Sequence, residues 1–245
     1  MGLELNLLGF VPLAIVSNDT KKPAMFYFVV QRVGSLLLLY GGISGDTVAS
    51  LTVLGLLLKM GLSPVHFWVP PVAGRLSRWM FGLLLTWQKL APLSLLLFLS
   101  IGIWPLILLN VIIGAVLMLA TRSLQPLLVF RGLVQIGWVL SLRGGALMWH
   151  YLALYYTSFF AVIAYQLRRR SLYRIALLNA GGLPPITGFI AKLRALYSLP
   201  RHTTLLLIAG RGAALASYVR MLLASKLQWR WPTLPLLAAI RLGAV

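Results

Sequence analysis

Residues Leu56–Pro70 read LLLKMGLSPVHFWVP. The apolar run TVLGLLL suits a helix in hydrocarbon, but it ends on a cation, Lys59, and meets Gly61 and Pro64 immediately afterwards. Proline lacks a backbone donor and its ring clashes with the preceding turn, so the stretch is expected as two helical pieces joined by irregular backbone. Such backbone is tolerated at membrane depth only inside protein or beside water. A cation there costs about 2.5–3.5 kcal/mol on insertion scales, which makes it a functional candidate by default.

The rest of the chain repeats this pattern of long apolar runs and short polar connections. Hydrophobic residues make up 60% of the 245, mean hydropathy is +0.91, and the runs have the roughly 20-residue length that crosses about 30 Å of hydrocarbon. Apolar length and punctuation predict helices at 2–17, 24–43, 47–72, 79–99, 101–120, 124–142, 146–167, 172–199 and 203–224, with a shorter tail at 232–245. NDTKK (Asn18–Lys22), SGD (Ser44–Asp46), AGRLSR (Ala73–Arg78) and RRRS (Arg168–Ser171) connect them. No cleavable signal is expected, since Met1 stands almost directly before the first apolar run.

A second interruption falls in GGLPPITGF, Gly181–Phe189, with Pro184 and Pro185 at its centre. Broken helices in corresponding places of two halves are the sequence sign of a transporter built from repeats. The expected architecture is therefore an all-α polytopic transmembrane helix bundle. Its halves are expected at 1–100 and 101–228, with a short tail at 229–245.

Composition narrows the chemistry. Cysteine is absent, which leaves no disulfide, thiolate metal site or cysteine-held iron–sulfur cluster in the sequence. His66, His150 and His202 share no ligand spacing, so packed or interfacial histidines are expected and no metal site. Twenty-two Lys and Arg face three acids, Glu4, Asp19 and Asp46, for a formal charge of +19. The cations are scattered among apolar runs, with no basic domain and no stacking platform, so nucleic acid is not the expected partner. Anionic lipid, acidic neighbouring subunits and the bias of cytoplasmic-type loops toward Lys and Arg account better for the surplus.

Within the runs, Lys89 lies mid-helix in LLLTWQKLAPLSLLL, Lys192 lies beyond the second break in ITGFIAKLRAL, and Glu4 stands in the first turn of an apolar helix. The bland alternative for each lysine is a stem along apolar surface with its ammonium at the interface; for Glu4 it is an acid complementing the helix dipole. Arg32, Arg131 and Arg211 also sit in apolar runs, but arginine hardly releases its proton and suits a structural or field-setting role. A lysine relays protons only if burial and nearby cations ease release, and an acid that approaches and withdraws makes it a switch. Gln31, Gln88, Gln135, Thr187 and Ser63 are candidate water-path groups, although such side chains also bridge helices.

Five stretches carry a family likeness: GLELN (Gly2–Asn6), KMGLSPVHFWVP (Lys59–Pro70), LLTWQKLAP (Leu84–Pro92), GLPPITGFIAK (Gly182–Lys192) and YVRML (Tyr218–Leu222). Together and in order they resemble the subunit 2 family of mitochondrial NADH dehydrogenase. The resemblance implies an antiporter-like, multi-pass subunit of the membrane arm of respiratory complex I in the mitochondrial inner membrane. It implies two inverted five-helix repeats, the first truncated, each with a broken helix. By motif, Glu4 and Lys59 correspond to the family's switching pair, Lys89 to its central lysine and Lys192 to the lysine of the second broken helix. NADH, FMN, iron–sulfur clusters and ubiquinone then belong to other subunits, this chain holds no cofactor, and its partners are other membrane-arm subunits and anionic lipid such as cardiolipin. The sequence departs from the pattern at Pro71, where the family has an acid, at Pro126, where it has a lysine, and at Gln135, where it has a histidine. The competing readings are a non-pumping scaffold of the same complex and a free-standing cation/proton antiporter.

Overall fold

The computed structural model describes residues 9–15, 21–43, 49–99, 104–142, 145–166, 170–182, 187–197, 199 and 201–224. All regular structure among them is helical. A helical stretch at 9–15 precedes α1 (Lys21–Ile43), α2 (Ala49–Met60), a 3-10 turn (His66–Trp68), α3 (Val69–Ala73), α4 (Arg78–Leu85) and α5 (Trp87–Phe98). After these come α6 (Trp104–Ala120), α7 (Leu124–Ser141), α8 (Ala146–Tyr165), α9 (Arg170–Gly181), α10 (Thr187–Tyr197) and α11 (Arg201–Ala224). Among the described residues, five segments are long and apolar enough to cross a membrane: Lys22–Ile43, Arg78–Phe98, Leu124–Ser141, Ala146–Tyr165 and Thr203–Leu223. Ser50–Met60 and Trp104–Ala120 are apolar but shorter. The predicted tail at 232–245 lies outside the described residues.

The chain forms two compact units, Met1–Asn110 and Val111–Val245. In the first, α2 packs against α1 and α5. Lipid tails are as apolar as leucine, so helices in a membrane associate by close packing of small residues rather than by escaping water. Here the fit is made by glycines: a Cβ added to Gly55 would stand 2.9 Å from the Gly34 carbonyl oxygen. The far side of α1 keeps Met25, Phe26, Val29, Val33, Leu36, Leu39 and Tyr40 exposed, as expected of a face that meets lipid or another apolar helix.

In the second unit, α7 is central. Seventy-eight per cent of its spanning window is buried, against 28% for Thr203–Leu223 on α11. Pro126 is the third residue of α7, where a missing N–H costs no intrahelical bond, so this departure from the family's lysine leaves the helix intact. α8 packs against α9 and α10, and α11 against α7 and α9.

One predicted span, found as the apolar segment Arg78–Phe98, carries an interruption. Residues 79–99 were expected as a continuous span, but the ladder is interrupted at Thr86, whose backbone adopts φ −117° and ψ −75°. The Thr86 hydroxyl donates to the Gly82 carbonyl at 2.8 Å, and the Lys89 amide reaches back only three residues, to the Thr86 carbonyl at 3.1 Å. Six residues on, Pro92 has no N–H to return to the Gln88 carbonyl.

Candidate functional site

Lys59 occupies the last turn of α2 and is 5% exposed. What ends the helix beneath it is Gly61, held at φ +62°. The Gly61 amide donates to the Leu58 carbonyl at 3.2 Å and the Leu62 amide to the Leu57 carbonyl at 3.0 Å. This paired pattern around a left-handed glycine closes the last turn of many helices. Side chains take further carbonyls: the Trp68 indole N–H donates to Leu58 at 3.0 Å, and the Gln31 amide to Lys59 at 3.1 Å. Beyond the glycine, the Ser63 amide donates to Asn110 Oδ1 at 3.0 Å. The break at KMGLSP is thus a folded junction, with neutral donors and acceptors answering its backbone groups.

The Lys59 stem lies in a notch on α1, where a Cβ at Gly34 would stand 2.9 Å from Lys59 Cγ. In the same unit, Phe10, Tyr27 and Trp68 form a buried aromatic row with centroids 4.9 and 5.7 Å apart. The Tyr27 hydroxyl donates to Gln88 Oε1 at 3.1 Å, tying α1 to the residue before Lys89. Lys89 itself is 5% exposed and lies three residues after the Thr86 interruption and three before Pro92. Lys59 and Lys89 therefore stand on packed helices, each beside interrupted backbone. Glu4 lies outside the described residues.

The second unit builds a comparable junction from different chemistry. α9 ends at Gly181, and Gly182 follows at φ +76°, its amide donating to the Leu178 carbonyl at 3.0 Å. Pro184 and Pro185 lie outside the described residues, as does the side chain of Thr187. Here guanidinium groups cap the helix: Arg131 on α7 donates to the Ala180 carbonyl at 3.0 Å, and Arg211 on α11 to the Gly182 carbonyl at 2.6 Å. Cations belong at a helix C-terminus, where the dipole is negative. Arg131, 3% exposed, also reaches Ser158 Oγ at 3.5 Å, and its guanidinium carbon lies 5.0 Å from the Tyr155 ring centroid and 5.9 Å from that of Tyr218. The Arg211 guanidinium carbon lies 4.6 Å from the ring centroid of Phe189. A third cation, Lys192 on α10, is 5% exposed.

Arg131 and Lys192 share a cavity with Gln135, Tyr151, Tyr155 and Asn179. It offers about 20 Å³ to the centre of a water molecule, where 10–15 Å³ is enough to hold one. The Tyr151 hydroxyl donates to Gln135 Oε1 on its wall. Of the residues read as water-path candidates, Gln135 lines a cavity, Gln31 and Gln88 hold a carbonyl and a hydroxyl, and Ser63 places its hydroxyl 3.3 Å from His66 Nδ1. Asn110, Trp68, Thr86 and Asn179 were not singled out by sequence.

Comparison with known proteins adds identity to this geometry. No family model matches the chain. NADH-ubiquinone oxidoreductase chain 2 of Lumbricus terrestris is 31% identical over 263 residues, covering 91% of this chain and 78% of the relative. The protein of the same name from Locusta migratoria is 27% identical over 235 residues, covering 81% and 69%. A chain in the structure of respiratory complex I from Thermus thermophilus with bound aureothin superposes with a TM-score of 0.80 at 21% identity. It covers 99% of this chain and 70% of its own, and is a likeness of fold. With its apolar spans, its two glycine-ended helices and a relative above 30% identity along most of its length, the chain is a multi-pass membrane protein that belongs to the NADH-ubiquinone oxidoreductase chain 2 family.

Proposed function

We propose that this chain is a proton-translocating membrane-arm subunit of respiratory complex I, in the mitochondrial inner membrane. It moves protons through buried lysines and water, driven by redox chemistry in partner subunits that hold the NADH, flavin, iron–sulfur and ubiquinone sites. Other membrane-arm subunits and anionic lipid such as cardiolipin are its partners. Glu4 and Lys59 act as the switching pair, Lys89 as the central relay and Lys192 as the relay of the second unit.

One observation carries this reading: Lys59, Lys89 and Lys192 are each 5% exposed, in or beside helices whose ladders are interrupted. A lysine retained only to coat apolar surface would extend its ammonium to the interface. Burial instead sets the cost of each ammonium against its surroundings, and beside Lys192 a cavity gives room for water that can exchange its proton. Gln135, beside Lys192, supplies an amide on that path.

The test is proton pumping by the assembled complex carrying Lys59→Met or Lys89→Met. Each variant keeps the stem volume and removes the titrating group. Pumping per NADH oxidised should collapse while the chain still assembles. Undiminished pumping in both variants would assign the chain to scaffolding instead. Proton–cation exchange by the purified chain alone in liposomes would count against the complex-subunit reading.

A further inference from the structure

The second unit carries cations that its own sequence does not neutralise. The three acids of the chain are Glu4, Asp19 and Asp46, so residues 47–245 contain no carboxylate side chain. Yet this unit buries Arg131 and Lys192 together on one cavity wall and holds Arg211 against the Gly182 carbonyl just beyond α9. Guanidinium stays charged under any physiological condition. The Ala180 carbonyl and the faces of Tyr155 and Tyr218 offset part of that charge. They do not match the sum of Arg131 and a protonated Lys192.

The hydrogen bonds are incomplete as well. Arg131 uses Nη2 for Ala180 and Ser158, while its Nε and Nη1 are buried without a hydrogen-bond partner among the described residues. A guanidinium 3% exposed with donors unanswered is an anion receptor by chemistry, because buried donors are costly when unmatched. The cavity that Arg131 lines has room for a small species. Gln135, whose Oε1 accepts from Tyr151, can donate an Nε2–H to it from the same wall. Water would accept from these donors but leave the charge unbalanced; a halide, slightly larger, does both.

We propose that the cavity bounded by Arg131, Gln135, Tyr151, Tyr155, Asn179 and Lys192 binds one monovalent anion of halide size, which serves as the counter-ion absent from this unit's sequence. The site shares Lys192 with the proton path proposed above, but it rests on charge balance and unmatched donors, and its occupancy is read independently of pumping. Its occupancy should rise with protonation of Lys192, so that anion and proton enter the cavity as a neutral pair.

The experiment locates the anion by its own scattering. The assembled complex is purified and crystallised with chloride replaced throughout by bromide at the same concentration, and anomalous difference density is calculated. A bromide peak is expected in the cavity, within contact of the Arg131 guanidinium. In Gln135→Glu, which places a carboxylate on the same wall, the peak should be lost. No bromide peak in the unsubstituted complex, density of water strength alone, or a neighbouring subunit's carboxylate in the cavity would each overturn the proposal. So would a peak of undiminished height in Gln135→Glu. Any of these leaves the lysine relay standing, whereas undiminished pumping in Lys59→Met and Lys89→Met overturns the relay and leaves a bromide peak unaffected.

Discussion

Gly61 holds the first broken helix closed, and Gly61→Ala tests how. Two separate costs are expected. The first is conformational: at φ +62° a Cβ crowds the following carbonyl, which costs about 1–2 kcal/mol for an L-residue. The second is steric: that Cβ would overlap Val69 Cγ2 and stand 3.2 and 3.3 Å from Trp68 ring carbons. Val69 and Trp68 are both 2% exposed and have nowhere to retreat, so forced overpacking adds about 1–3 kcal/mol. The single variant should therefore lose about 2–5 kcal/mol, the sum of these two ranges. Val69→Ala removes the overlapping methyl and leaves the backbone term in place. In a double-mutant cycle the pair should couple by about 1–3 kcal/mol, with the second substitution partly rescuing the first. Unfolding of the purified chain in lipid bicelles by detergent titration reads all four corners. Additivity within about 0.5 kcal/mol would refute the steric half of the argument, and a Gly61→Ala chain as stable as the parent would refute both halves.

Three further outcomes are expected. Gly34→Ala sets a methyl 2.9 Å from Lys59 Cγ and 3.3 Å from the Gly55 carbonyl, so the lysine must leave its notch; pumping per assembled complex should fall further than assembly does, and equal losses would argue that the notch only packs helices. Trp68→Phe removes the indole donor to the Leu58 carbonyl, which also accepts from the Gly61 amide; because one donor remains, the loss should be about 0.5–1.5 kcal/mol by the same detergent titration, and a larger loss would mean that the indole packs more than it bonds. Pro92→Ala restores an N–H to the turn above Lys89 and relieves a helix penalty of roughly 3 kcal/mol; stability should rise while pumping falls, and a rise in both would show that the irregular turn does not serve Lys89.

The sequence made some of this legible because its signals were local. Fifty-six to seventy reads as a broken helix from Gly61 and Pro64 alone, since one residue's φ and another's missing donor suffice to end a ladder. The span 79–99 is legible but its interruption is not, because Thr86 is weakly marked: a threonine hydroxyl bonding back four residues is common in apolar helices. The capping partners were not legible at all. Gln31, Asn110, Arg131 and Arg211 reach carbonyls or amides 28–49 positions away in the chain, and no periodicity encodes that distance. Reading Arg131 and Arg211 as structural or field-setting charges depends only on guanidinium chemistry, which names no partner.

The two junctions use one backbone solution with unlike chemistry. Each ends a helix on a glycine of positive φ and hands the loose carbonyls to side chains, but the first uses an indole and an amide while the second uses two guanidiniums. The difference bears on how a lysine nearby can be controlled. Around Lys59 the caps are neutral and add no net charge to the field at its ammonium. Around Lys192 the caps supply a fixed positive field that no movement of a distant group can reverse. Such a lysine is governed by what enters its cavity. The asymmetry is sharpest at the one carbonyl the junctions share, two residues before each glycine, where Gln31 reaches Lys59 in the first and Arg131 reaches Ala180 in the second.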